Sequence, residues 1–127
     1  MAMAETNPDE AVAAFVKHYY STFDKNRPGM AELYRENSMM TFDGKKINGL
    51  QNIVNMFNSL PFPVCHHDIS TVDCQPYGPA GGVLAFVTGT LNVPGQDHPV
   101  KFSEMFNLIP IQDTFYVSNA IVRSNKA

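Results

Sequence analysis

Apolar residues recur every three or four positions near the start of the chain, which is the spacing of one helix face. Asn7 is a candidate N-cap, Pro8 suits the first helical position, and two acidic residues follow where the helix dipole favours them. A polar run at 24–27 ends the pattern. The apolar stripe consists of Val12, Phe15, Val16, Tyr19, Tyr20 and Phe23. The pattern predicts a long helix with a wide buried face.

Asp43-Gly44 separates two short extended stretches, at 39–42 and 45–47. Such a pair supplies the positive φ angles of a two-residue turn, so the sequence predicts a β-hairpin with Phe42 and Asp43 at its tip.

Two shorter helices flank this hairpin. The first is indicated by Pro28 together with Met30, Leu33 and Tyr34. The second follows from helical spacing of apolar residues and ends at Pro61, which cannot continue a helix. Its apolar positions are Leu50, Ile53, Val54, Phe57 and Leu60.

Four extended runs complete the chain, at 64–75, 83–93, 100–109 and 114–123. The first is bounded by prolines and by a Pro-Tyr-Gly-Pro turn, which predicts one uninterrupted strand. Turns at Pro94-Gly95 and Gln112-Asp113 separate the last three. Because these three runs are adjacent in sequence, they are expected to form an antiparallel meander.

Residues 83–87 are apolar on both alternating faces of their strand. Three helices are too few to cover both sides of such a sheet, so a second copy of the chain is expected to cover the outer side as a homodimer. The interface is expected to include Phe86, or its neighbours Phe102 and Phe106, on whichever alternating face points away from the helices. The alternative is that the sheet buries the strand by curling on itself.

The chain has 127 residues and 44% hydrophobic content, which predicts a single domain spanning 1–127 with a disordered tail at 1–6. A net charge of −3 with scattered basic residues argues against nucleic acid. Cys65 and Cys74 lie about 30 Å apart along one strand, too far for a disulfide. Without a leader or a long apolar segment, the chain is expected to be reduced and soluble, with no membrane partner.

Several strings together resemble the nuclear transport factor 2 family, over nearly the whole length from 15 to 123. They include Phe15-Val16-Lys17-His18-Tyr19-Tyr20, Thr41-Phe42-Asp43-Gly44, Asp73-Cys74-Gln75-Pro76, Phe102-Ser103-Glu104-Met105-Phe106 and Ile121-Val122-Arg123. The string at 70–76 is similar to plant members. The resemblance implies an α+β fold: a cone-shaped, strongly bent antiparallel sheet wrapped around one long N-terminal helix, with two shorter helices.

The resemblance also implies a function. The family carries the GDP form of the small GTPase Ran into the nucleus, binds Phe-x-Phe-Gly repeats of nucleoporins, and is found in cytoplasm and nucleus, enriched at the nuclear envelope. Ran inserts an aromatic side chain of its switch II loop into the mouth of the cone, which is flanked by acidic residues that pair with basic side chains of Ran. Carried over position by position, the Ran-binding residues are Phe42, Asp43, Leu60, Phe62, His67 and Asp97.

The chain departs from the family pattern in its aromatic and acidic positions. It contains no tryptophan, whereas the family usually has a larger aromatic at Phe42. An aromatic near the N-terminus that assists repeat binding in animal members is matched by Pro8 or its neighbours. Ala120 and Val122 replace an aspartate and a phenylalanine. These departures predict weaker binding of nucleoporin repeats than in typical relatives.

Other interpretations of the same residues remain open. Asp-Gly suits any tight turn, a phenylalanine is often core, and a mid-strand histidine is often structural. His66, His67 and Asp68 are adjacent on a strand and point to opposite faces, which makes a poor metal site, so no metal or cofactor is expected. The same fold also serves isomerases and dehydratases; candidate acid–base groups for such an enzyme are Tyr19, Asp43, His67 and Asp73.

Without a nucleophile motif, phosphate loop or metal cluster, no catalytic residue is expected. Asp43 is instead expected to be exposed at the mouth. A third interpretation is an interaction module of the same fold that serves a different partner.

Overall fold

The computed structural model of the chain describes residues 8–62 and 64–125. The expected tail at 1–6 and the Asn7 cap lie outside these ranges. In chain order the elements are α1 (Pro8–Lys25), a 3₁₀ helix (Arg27–Leu33), β1 (Tyr34–Phe42), β2 (Lys45–Asn48), α2 (Leu50–Asn58), β3 (His66–Tyr77), β4 (Gly82–Asn92), β5 (Val100–Ile111) and β6 (Thr114–Asn125).

Helix α1 confirms the predicted long helix, and its apolar stripe is the centre of the core. All six residues of the stripe are buried. Tyr19 packs edge-on against Tyr20 and Phe106, whose ring centroids lie 5.0 and 4.9 Å away. The helix therefore fills the concave side of the sheet with aromatic rings.

The hairpin forms at the predicted turn. Asp43 has a φ of 50° and Gly44 a φ of 89°, the positive values that a two-residue hairpin turn requires. Its first strand begins earlier than predicted, because Tyr34 belongs to β1 and not to the preceding helix. That helix is a 3₁₀ helix ending at Leu33, and α2 ends at Asn58, before Pro61.

The six strands form one sheet in the order β2-β1-β6-β5-β4-β3. Strands β4 to β6 form the predicted antiparallel meander, and β3 adds to it by pairing antiparallel with β4. The hairpin joins the sheet through β1, which pairs in parallel with β6, so the sheet is mixed. The antiparallel sheet that the family likeness implied is otherwise present, since every pairing except that of β1 with β6 is antiparallel. Helix α2 and the segment after it carry the chain from one edge of the sheet to the other.

Strand β3 begins at His66, two residues later than predicted, and it is interrupted. The pairing register shifts between Ile69 and Thr71, which leaves Ser70 as an extra residue in a bulge. Gly89 lies opposite this bulge, where a Cβ atom would come within 2.4 Å of the Asp68 carbonyl oxygen. A glycine is required there, and the bulge bends the sheet around α1.

The two faces of the sheet differ in burial. On the inner face Phe102 and Phe106 pack in the core, so of the residues predicted for an interface only Phe86 points away from the helices. On the outer face Phe86, Met105 and Ile121 pair directly across β4, β5 and β6. They are 42%, 42% and 53% exposed, and we call them the outer row.

Both cysteines are free. Cys65 is buried just before β3, and Cys74 is half-buried within that strand. Over the residues that the structure describes, no helix combines the length and apolar character needed to cross a bilayer.

Candidate docking cavity

Several strand ends meet at one end of the sheet. Phe102, near the start of β5, pairs with Ser124 near the end of β6 and with Gly89 near the end of β4. Because β1 is parallel to β6, the β1–β2 turn lies at this end as well. The β4–β5 loop and the start of β3 complete it. We call this end of the sheet the mouth.

A largely apolar cavity of about 60 Å³ lies at the mouth. Four of the six predicted site residues line it: Phe42, Leu60, Phe62 and His67. Phe42 comes from the end of β1, Leu60 and Phe62 from the segment after α2, and His67 from β3. The structure thus brings together residues that lie up to 25 positions apart in the sequence. The remaining wall is formed by Tyr19, Phe23, Met40, Phe57, Leu91, Val100, Phe102, Glu104, Val122 and Ser124.

Asp43 lies at the rim beside this cavity and is half-buried, so the expectation that it is exposed is wrong. Its carboxylate accepts hydrogen bonds from the Ser124 backbone N–H at 2.7 Å and from the Ser124 hydroxyl at 2.6 Å. Its own N–H donates to the Val122 carbonyl oxygen at 3.0 Å. Asp43 therefore holds the end of β6 against the hairpin.

Asp97 is exposed in the loop between β4 and β5 and does not line the cavity. The residues that flank this loop on either side, Leu91 and Val100, do line it. Asp97 is thus placed at the mouth by its loop and not by a contact with the cavity wall.

His67 is oriented by Asp24, which lies near the end of α1. The His67 Nδ1 atom is 2.6 Å from Asp24 Oδ1, and the His67 backbone N–H donates to Asp24 Oδ2 at 2.9 Å. Burial alone would raise the pKa of Asp24, but hydrogen bonds from the His67 ring and backbone outweigh it and lower that pKa. Asp24 is therefore a buried carboxylate that fixes the imidazole in the cavity wall.

Glu104 places a carboxyl group in the cavity wall although its side chain is buried. Tyr20 donates its hydroxyl hydrogen to Glu104 Oε1 at 2.6 Å. Burial raises the pKa of Glu104 to about 8, and the Tyr20 hydrogen bond opposes this only in part. At neutral pH the group is mainly an uncharged carboxylic acid.

Tyrosine hydroxyls surround this acid. Tyr19 and Tyr34 share a short hydrogen bond between their hydroxyl oxygens. Burial, followed by the proximity of Glu104, raises the pKa of Tyr19, Tyr20 and Tyr34 well above 10. At neutral pH the cluster of Glu104 and these three tyrosines therefore consists mainly of uncharged groups.

The four candidate groups for an enzyme do not gather at one point. Tyr19 and His67 line the cavity, whereas both oxygens of Asp43 are bonded to Ser124. Asp73 is exposed on the outer face, opposite Phe86. The arrangement suits an apolar side chain entering from the mouth better than acid–base chemistry.

The sequence reasoning did not select Glu104 or Asp24. For Glu104 a signal existed, because it alternates with Phe102 and Phe106 and must therefore share their inward face. For Asp24 no local signal existed, since its partners lie more than 40 positions away.

Comparisons with known proteins agree with this architecture. A model of the nuclear transport factor 2 (NTF2) domain family matches residues 11–124. The chain is 57% identical to nuclear transport factor 2B of Arabidopsis thaliana over 98% of its own length and all of that protein's. It is 52% identical to nuclear transport factor 2 of Oryza sativa subsp. japonica, over 92% of this chain and 96% of that protein.

A solved structure gives the same result. Nuclear transport factor 2 from Cryptosporidium parvum superposes with a TM-score of 0.86 at 43% identity, covering 94% of this chain and 97% of that one. These relatives are transport factors and not enzymes, so the expectation of a non-enzymatic carrier is confirmed. The chain belongs to the nuclear transport factor 2 family.

Proposed function

We propose that this chain carries the GDP form of Ran into the nucleus and that Ran docks at the mouth. The observation that carries the proposal is the shared position of Phe42, Leu60, Phe62 and His67 around one apolar cavity. The family likeness assigns these residues to Ran contact, and the comparisons support that function through whole-chain identity to nuclear transport factor 2 proteins.

The cavity suits an aromatic side chain that enters from outside. An apolar cavity of about 150 Å³ holds a benzene ring, and the cavity here is about 60 Å³. An aromatic ring can therefore enter the cavity only when the residues at its rim move apart. Leu60 and Phe62 are half-buried and lie on the irregular segment after α2, so they are the residues best able to move.

Negative charge at the rim of the cavity can orient the docking loop of Ran. Each Asp43 oxygen accepts one hydrogen bond from Ser124, and each keeps a lone pair for a second donor. A Lys or Arg of the docking loop can bind there while the cavity takes the neighbouring aromatic ring. Asp97, exposed in the loop at the same end of the sheet, adds a second negative charge.

The direct test is capture of purified Ran on the immobilised chain. The proposal expects the GDP-loaded form to be retained and the GTP-loaded form to pass through. Equal retention of both forms would contradict it. Retention of neither form would favour a different partner for the same fold.

We further propose that the chain is a homodimer through the outer face of the sheet. The outer row of Phe86, Met105 and Ile121 is a continuous apolar strip across three strands. Met39 on β1 and Tyr77 on β3, both at least half exposed, add apolar surface to the same face, two and four positions along their strands from the line of the row. A strip of this kind is typical of an isologous interface, in which each copy covers the same face of the other.

Replacing Met105, the centre of the outer row, by glutamate is expected to give monomers. Each two-fold interface would bury two charges without partners. Light scattering at micromolar concentration should show about twice 14.1 kDa for the wild type and 14.1 kDa for the variant. Gln51→Glu, at an exposed position of α2, is the matched control and should remain dimeric. A wild-type mass of one chain would contradict the proposal.

The second proposed partner is the set of Phe-x-Phe-Gly repeats of nucleoporins. A buried Phe side chain contributes only about 1.5–3 kcal/mol, so such contacts work through many weak copies. The expectation of weaker repeat binding rests on the aromatic groups that this chain lacks: Phe42 and Val122 stand where the family has larger or aromatic side chains, and so does Pro8, whose side chain lies outside the described part of the chain. Binding both partners would let the chain shuttle between cytoplasm and nucleus and concentrate at the nuclear envelope.

A further inference from the structure

Three metal-binding side chains converge beside the cavity, one from the end of α1 and two that lie two positions apart around the start of β3. They are Asp24 from the end of α1, Cys65 from the segment before β3, and His67 from β3 itself. Their donor atoms all lie within 4.8 Å of one another. Cys65 Sγ is 3.3 Å from Asp24 Oδ1, and His67 Nδ1 is 2.6 Å from the same oxygen.

The geometry points to a binding site for Zn²⁺ formed by Asp24, Cys65 and His67. Carboxylate, thiolate and imidazole are the three side-chain ligands that zinc prefers. Bond lengths of about 2.0–2.3 Å at tetrahedral angles hold ligand atoms roughly 3.3–3.8 Å apart. The observed distances require the Asp24 and His67 donors to separate by roughly 1 Å, within reach of side-chain rotation.

The surroundings of Asp24 prepare it for one metal bond. Its Oδ2 atom accepts the His67 backbone N–H at 2.9 Å, which fixes the carboxylate and leaves Oδ1 as the ligand. This outer hydrogen bond is typical of a carboxylate that binds a metal through one oxygen.

The site also has access to solvent and room for a fourth ligand. Asp24 and His67 line an open groove between α1 and β3. His66 borders the same groove, is 72% exposed, and has its Nδ1 atom 3.9 Å from Asp24 Oδ2. The fourth coordination position can therefore be filled by His66 or by water.

Arg27 is the main objection to a cation at this place. Its Nη2 atom lies 3.6 Å from Cys65 Sγ, and its guanidinium packs over the rings of Phe23 and Phe62. Charge balance answers the objection, because a Cys65 thiolate and the Asp24 carboxylate together neutralise Zn²⁺. Arg27 then donates to the bound thiolate as an outer hydrogen-bond partner.

The interpretation differs from the poor site expected from sequence. That expectation considered only His66, His67 and Asp68, neighbours on one strand. Folding supplies Asp24 from the end of α1, 43 positions from His67, and the third ligand is Cys65, two positions before His67. Because His67 also lines the docking cavity, a bound metal would lock one ring of that wall in place.

The test is a Co²⁺ titration of the reduced protein, since cobalt bound to thiolate gives a near-ultraviolet charge-transfer band. The wild type should show this band at one Co²⁺ per chain, and Zn²⁺ should abolish it by competition. Cys65→Ser should lack the band. Cys74→Ser is the matched control and should keep it, because Cys74 is not among the three converging residues.

A second readout is thermal stability, because a ligand that binds only the folded chain raises its midpoint. Zn²⁺ should raise the midpoint of the wild type and of Cys74→Ser but not that of Cys65→Ser. No band in the wild type at micromolar Co²⁺ would overturn the proposal. So would a band unchanged in Cys65→Ser, or one lost equally in both variants.

Discussion

Asp43→Lys is expected to weaken binding of GDP-loaded Ran by about 30-fold or more. Losing one member of a desolvated charge pair costs about 2–5 kcal/mol, and lysine adds repulsion against the basic side chain of the partner. The structure adds a stability cost that the sequence did not predict, since the two hydrogen bonds to Ser124 are lost as well. Calorimetry with purified Ran, alongside thermal unfolding of the variant, measures both effects.

Two further variants distinguish the effect of the Asp43 charge on Ran binding from the effect of disturbing the turn. Asp43→Asn removes the charge, tolerates the positive φ at this position and can still accept from Ser124, so its loss of affinity should be smaller. Asp113→Lys places the same charge change in an exposed turn at the opposite end of the sheet and should leave Ran binding unchanged. Affinity of Asp43→Lys within threefold of the wild type would count against the proposed pairing.

The wild type is expected to lose stability as pH rises, and Glu104→Gln is expected to abolish that loss. The pKa of Glu104 rises from its ordinary 4.5 to about 8 on folding, so the folded chain holds this proton more tightly than the unfolded chain. The protonated Glu104 therefore contributes its whole stabilisation of the folded chain below about pH 4.5, and this contribution is lost as pH rises through about 8. The free energy of unfolding changes by about 1.4 kcal/mol for each pH unit between the two pKa values, which gives about 4–5 kcal/mol in total.

Denaturant unfolding at several pH values between 5 and 9 checks this expectation. The free energy of unfolding of the wild type should fall more steeply with pH than that of Glu104→Gln. Glutamine keeps an oxygen for the Tyr20 hydroxyl, so the variant should fold. Glu36→Gln, an exposed position on β1, should follow the wild-type slope. Equal slopes in the wild type and Glu104→Gln would show that Glu104 is not held neutral.

Local patterns predicted much of the fold because their signals lie within a few residues. The positive φ angles of Asp43 and Gly44 need only that dipeptide, and the α1 stripe needs only helical spacing. The parallel pairing of β1 with β6 joins segments about 80 residues apart, for which no local pattern exists. The bulge at Ser70 was missed for a related reason, since its partner Gly89 lies on the next strand.

The candidate site divides in the same way. Family likeness selected Phe42, Leu60, Phe62 and His67, and the fold places all four around one cavity. The sequence could not show which contacts hold these residues in place, because the partners are distant along the chain. Asp43 bonds Ser124, 81 positions away, and His67 bonds Asp24, 43 positions away. Burial of those contacts, and of Glu104, depends on the curvature of the sheet around α1.

The central claim is that the cavity at the mouth receives an aromatic side chain of GDP-loaded Ran. The most direct measurement is calorimetry of the wild-type chain with GDP-loaded Ran and with Ran whose switch II aromatic is replaced by alanine. Burial of an aromatic side chain is worth about 1.5–3 kcal/mol, so the alanine form should bind about 10- to 100-fold more weakly. Equal affinity for the two forms would contradict the claim.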